Sequence, residues 1–64
     1  MNIAKKIKQL RLDKCIRLID AAKDLGISPS TLCGWESGYR KPDLDGVKKL
    51  ASLYKVSVDF LIKD

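Results

Sequence analysis

The fold is decided by Leu18-Ile19-Asp20-Ala21-Ala22-Lys23-Asp24-Leu25-Gly26-Ile27-Ser28-Pro29-Ser30-Thr31-Leu32-Cys33-Gly34-Trp35-Glu36-Ser37. Gly26 tolerates positive φ, so it suits the end of a helix. Ser28 reads as an N-cap, with Pro29 at the first helical position. Ile27 and Leu32 stand at N′ and N4, the spacing of a hydrophobic staple. One helix therefore stops at about residue 25 and the next starts at 29, with roughly three residues between them. Ala21, Ala22 and Leu25 point inward from the first. The second runs to Gly38, which takes the position after its last turn.

Working outward, Ile3, Ile7 and Leu10 recur as one apolar helix face, with Asn2 as its expected N-cap. After Gly38 comes Gly38-Tyr39-Arg40-Lys41-Pro42, a basic loop with one aromatic ring. Asp43 caps a fourth helix that buries Val47, Leu50, Ala51 and Tyr54. Ser57 caps a short last helix, where Val56 and Leu61 repeat the staple spacing and Phe60 and Leu61 close the core. No strand, repeat or linker is legible. The pattern is an all-α bundle with short connections.

The chain has 64 residues, so residues 1–64 are expected to form a single small domain. A domain of that size buries only about 60% of its unfolded surface. Thirteen Lys and Arg oppose eight Asp and Glu, and there is no His. The commonest general base and metal ligand is thus missing. Cys15 and Cys33 lack the spacing of a zinc site, and reduced thiols suit a cytoplasmic protein. No apolar run is long enough for a membrane span. We expect no cofactor, no metal, no membrane association and no enzymatic activity. Residues 1–42 carry the whole +5 excess, nine basic against four acidic, while residues 43–64 sum to zero. A positive binding module suggests a polyanionic partner.

Leu18 to Ser37 looks like a helix-turn-helix: two short helices joined by a tight glycine-containing turn. Ala22 falls where the helices come closest and only a small side chain fits. The start of the second helix is left protruding, able to enter a major groove. The whole chain resembles the DNA-binding domain of the Cro/CI phage-repressor (XRE-type) family. The resemblance runs through Ile7-Lys8-Gln9-Leu10-Arg11, Ala22-Lys23-Asp24-Leu25-Gly26-Ile27-Ser28, Ser30-Thr31-Leu32 and Trp35-Glu36-Ser37-Gly38. It continues in Lys41-Pro42, Leu50-Ala51 and Val56-Ser57-Val58-Asp59-Phe60-Leu61.

That resemblance implies a five-helix, lambda-repressor-like fold whose third helix reads double-stranded DNA. It implies a transcriptional regulator, repressor-like, that binds a palindromic operator as a homodimer. Arg11 and Glu36 match positions that form a partly buried ion pair, although two separate surface charges would also fit. Base or groove contacts are expected from Pro29, Ser30, Thr31, Cys33 and Gly34. Arg40 in the loop is expected at a base edge or in a narrow minor groove, with a phosphate contact or none as its competing reading. Phosphate contacts are expected from Arg17, Ser28, Tyr39 and Lys41. Val58, Leu61 and Ile62 are dimer candidates, with core packing as their competing use.

The sequence departs from the family in three places. The reading face lacks the Gln, Arg or Lys that family members often carry where Pro29, Ser30 and Gly34 stand. Bidentate base contacts from this helix are therefore impossible, and phosphates, shape and water must carry more. Leu18 replaces a phosphate-anchoring Gln, and Leu18 with Ile19 reads either as partial packing or as a contact patch for a protein partner. Cys15 stands where glycine is usual, so a left-handed backbone there would cost about 1–2 kcal/mol. A second function follows from these departures: the scaffold could serve as a protein-interaction module, antitoxin-like or anti-repressor.

Overall fold

The computed structural model describes residues 3–63. It has five helices: α1 (Ile3–Asp13), α2 (Leu18–Leu25), α3 (Pro29–Ser37), α4 (Leu44–Tyr54) and α5 (Val58–Ile62). No strand forms among the described residues. The cap expected at Asn2 lies outside them.

Three of the four connections are built alike. In each, a left-handed residue ends a helix, an apolar residue turns back onto the core, and an N-cap opens the next helix. After α1, Cys15 N donates to Leu12 O at 3.0 Å and Ile16 N to Arg11 O at 3.1 Å. After α2, Gly26 N reaches Lys23 O at 3.1 Å and Ile27 N reaches Ala22 O at 3.0 Å. After α4, Lys55 N reaches Ser52 O at 3.4 Å and Val56 N reaches Ala51 O at 3.0 Å. These paired bonds are Schellman closures, which satisfy carbonyls the helix leaves open. The left-handed residues have φ of 56° at Cys15, 72° at Gly26 and 56° at Lys55. Only Gly26 adopts this without a steric cost. Ile16, Ile27 and Val56 all pack against the core. Ser28 and Ser57 then accept from Thr31 N and Phe60 N, whereas Arg17 opens α2 with no side-chain cap.

The core draws on every helix. Ile7, Ala21, Ala22, Leu32, Leu50 and Leu61 are fully buried. Alanine at 21 and 22 lets α2 come close to its neighbours, since a larger side chain would have no space there. Trp35 is buried, and its ring edge passes so near Gly46 that a Cβ there would meet Cη2 at 2.8 Å. Phe60 departs from the expectation that it closes the core: it is 48% exposed, and Leu61 alone occupies the inward position. The next position on a helix faces about 100° away. Lys6 covers Phe60 instead, its Nζ 4.9 Å from the ring centroid. The same ammonium donates to Phe60 O and Lys63 O, each at 2.6 Å, and so ties the end of α5 to α1.

One pair of opposite charges is buried at the centre of this arrangement. Arg11 Nε donates to Glu36 Oε2 at 2.8 Å and Nη2 to Glu36 Oε1 at 3.0 Å. Its Nη1 donates to Ile16 O at 2.8 Å. Both side chains are buried, so α1, the first joint and α3 are locked by one bidentate pair. The hydrogen bonds that Arg11 donates to Glu36 raise the guanidinium pKa above its ordinary value, against the opposing effect of burial. Tyr54 lies nearby and is only 1% exposed, yet its hydroxyl has no hydrogen-bond partner among the described residues. Burial, helped by the Glu36 charge and opposed by Arg11, pushes its pKa up to about 12.

Removing one member of a buried pair strands the other, at a cost of about 3–5 kcal/mol. Glu36→Ala is therefore expected to lower the melting temperature by at least roughly 10 °C in a domain this small. A shift under about 1 °C in calorimetry would contradict a structural role for the pair. Tyr54 gives a second expectation, in alkali. The folded state holds the phenolic proton more tightly than the unfolded chain does, whose tyrosine titrates near 10.0. Its contribution is therefore intact below pH 10 and is lost as pH rises toward 12, by about 3 kcal/mol in all. Denaturant melts of wild type and Tyr54→Phe across that window should diverge, with the phenylalanine variant falling less. Parallel curves would refute the assignment.

Candidate nucleic-acid interface

The protruding element is α3, and its two sides are chemically distinct. Leu32, Trp35 and Glu36 are buried and fasten it to the domain. Pro29, Ser30 and Cys33 are exposed on the other side. The helix starts sharply because Pro29 follows an N-cap: Thr31 N donates to Ser28 Oγ at 3.2 Å. The Ser28 and Thr31 hydroxyls also share a 2.9 Å hydrogen bond, and Thr31 is half-buried. The hydroxyl expected to reach phosphate at Ser28 is thus already the cap acceptor.

Gly34 corrects the expected reading face. It is buried rather than exposed, because the aliphatic stem of Arg40 lies over it. A Cβ on Gly34 would touch Arg40 Cγ and Cδ at 3.4 Å and Cβ at 3.5 Å. The loop is folded back onto one carbonyl of α3: Arg40 N donates to Gly34 O at 3.0 Å, and Ser37 Oγ, at the end of the helix, donates to the same oxygen at 3.2 Å. Gly38 makes the reversal possible with φ of 82°. Tyr39 then stands almost free of the surface, 86% exposed. Lys41 is exposed as well, and with Ile3, Pro42, Val47, Leu61 and Ile62 it lines a groove of about 250 Å³ between α1, α4 and α5.

At the start of α2, Leu18 and Ile19 part company. Leu18 packs against the core, whereas Ile19 is 59% exposed. Arg17 is exposed and its Nε donates to Asp20 Oδ2 at 2.9 Å. On α5, Leu61 is fully buried and is corrected from a dimer candidate to a core residue. Val58 is half-buried against the core, and Ile62 is exposed. Cys15 and Cys33 are both free and exposed. Among the described residues, no cluster of His, Cys, Asp or Glu could hold a metal ion, and no helix is long and apolar enough to cross a membrane.

The Gly34–Arg40 contact and the tether at Lys6 escape a reading of local pattern. A glycine inside a predicted helix, with no turn to explain it, is the only signal that hinted at the first.

Comparison with known proteins agrees with this arrangement. The helix-turn-helix family model matches residues 7–61. The chain belongs to the helix-turn-helix family of Cro/CI type. Within that family it is similar to the HTH-type transcriptional regulator ImmR of Bacillus subtilis (strain 168). The two are 37% identical over 62 residues, which are 97% of this chain and 49% of ImmR. The chain spans about half the length of the curated relatives it matches first. The fold matches that of the P22 c2 repressor, solved in complex with a synthetic operator, with a TM-score of 0.92 at 24% identity. That match covers 98% of this chain and 96% of the other. SinR of Bacillus subtilis, a regulator of biofilm formation solved in complex with DNA, superposes with a TM-score of 0.88 at 29% identity. It covers 95% of this chain and 98% of that one.

The cap gives this helix-turn-helix a direct test. Ser28→Ala should cost about 1 kcal/mol of stability, the usual loss at an N-cap. A variant with unchanged stability in urea melts would show that Ser28 is free for another partner.

Proposed function

We propose that this domain binds double-stranded DNA sequence-specifically and acts as a transcriptional regulator of the repressor type. The observation that carries the reading is the exposed face of α3, held rigidly from behind by Arg11–Glu36 and flanked by the basic loop. Membership of the Cro/CI-type family supports it, as do relatives named as transcriptional regulators and a related domain solved on DNA. In this reading α3 enters the major groove, with Pro29, Ser30, Thr31 and Cys33 toward the bases. Arg17, Tyr39 and Lys41 approach phosphates, and the α3 N-terminus adds its dipole and amides. Residues 1–64 act as one module, a homodimer forms on a palindromic operator with Val58 and Ile62 near its seam, and the protein works in the cytoplasm without cofactor or catalysis.

A second reading rests on Ile19. An apolar side chain exposed at the start of α2, next to the missing phosphate anchor, favours a protein partner at that surface.

Salt separates the two. Duplex affinity followed by fluorescence anisotropy should fall linearly in log–log form as salt rises, because bound phosphates release counterions. Lys41→Ala should weaken binding to all duplexes alike and reduce that slope by about 1. A nearly flat salt response would refute the DNA reading and leave the protein-partner one.

A further inference from the structure

We infer that Gly34 is a seat for Arg40, through which the loop supplies the base-reading group that α3 itself lacks, and that this group recognises a guanine in the major groove. The inference rests on the duplex-DNA reading above.

Three observations meet here. First, the exposed face of α3 offers only proline, serine, cysteine and a half-buried threonine, none of which can make a bidentate base contact. Second, Arg40 does not trail away into solvent. Its backbone N–H is bonded to Gly34 O at 3.0 Å, and its stem lies within 3.4–3.5 Å of the space where a Gly34 side chain would begin. The loop has therefore placed a long side chain where the helix has none. Third, Arg40 is exposed, and its guanidinium makes no hydrogen bond or ion pair among the described residues. It stands apart in this from Arg11 and Arg17, whose guanidinium groups are paired with Glu36 and Asp20.

The groove and the base follow from this placement. Because the stem runs across α3, the guanidinium shares whichever groove α3 occupies, and for a helix that is the major groove. There a planar fork of donors matches the O6 and N7 acceptors of guanine. Gly34 acts as a positioning residue. At 3.4 Å an alanine methyl would just touch the Arg40 stem, whereas a branched side chain would have to push it aside.

The experiment is selection of sites from random duplex DNA, followed by affinity measurements on the selected site and on a copy with its guanine replaced by adenine. Wild type should enrich a guanine and prefer it about tenfold, which corresponds to about 1.4 kcal/mol. Arg40→Ala should lose that preference, whereas Arg40→Lys should weaken it while keeping its affinity for bulk duplex and its salt slope. Gly34→Ala should retain the preference within about twofold, and Gly34→Val should lose it. Gly34→Val combined with Arg40→Ala should be no worse than Arg40→Ala alone, which a merely structural role for Gly34 would not produce. Preference retained in Arg40→Ala would overturn the inference even if Gly34→Val fails to fold, and additive losses in a folded double variant would overturn it as well. Salt-dependent duplex binding with no guanine enrichment would overturn it while sparing the DNA reading. Absence of any duplex binding by wild type would overturn both.

Discussion

Everything that makes α3 usable depends on the way Arg11 holds Glu36. A helix of nine residues has little intrinsic stability and takes its position from what it packs against. Leu32 and Trp35 supply the burial, but apolar contacts permit sliding and rotation. The bidentate pair permits one registry, because two parallel N–H···O bonds fix distance and plane together. The remaining amine of Arg11 holds Ile16 O, so the same side chain also sets the corner from which α2 departs. Taking these charges out of water is costly, and the three hydrogen bonds offset that cost. Tyr54, with its hydroxyl buried and unpartnered, shows that the surroundings of the pair are not fully satisfied.

This anchor divides the positive charge into two classes. Arg11 is consumed within the fold and Lys6 is held at the end of α5, whereas the Arg17–Asp20 pair lies at the surface and is only weakly held. Formal charge thus overstates what is free to meet phosphate. The groups near α3 with no such partner are on the loop that follows it, where the Gly38 reversal and the two bonds to Gly34 O impose a definite shape. The helix provides a platform, and the loop provides the chemistry.

How much of this was legible in the sequence follows the range of each interaction. The caps at Ser28, Asp43 and Ser57 and the end at Gly26 are local, made between residues three to five apart, so their signals sit in neighbouring letters. The inward residues of α2 and α4 obey helical periodicity and were equally readable. The choice between Phe60 and Leu61 as the inward residue depends on the rotation of a five-residue helix whose end Lys6 holds from 54 positions away, so local pattern does not decide it. The helix that holds Gly34 follows from local pattern, but its surroundings do not. Its neighbour arrives from a loop, and loop paths are not written in periodicity.

The corners at Cys15 and Lys55 carry a different message. Both sit in a conformation that costs an ordinary residue about 1–2 kcal/mol, and the chain folds with both. Against the net stability typical of so small a domain, that is a substantial fraction. The architecture therefore runs below its own ceiling, with unspent margin at two surface positions far in sequence from α3. Relieving that strain would let the scaffold accept destabilising changes on a working surface and stay above the threshold for folding. The corners act as ballast that the domain could shed without touching the face that meets its partner.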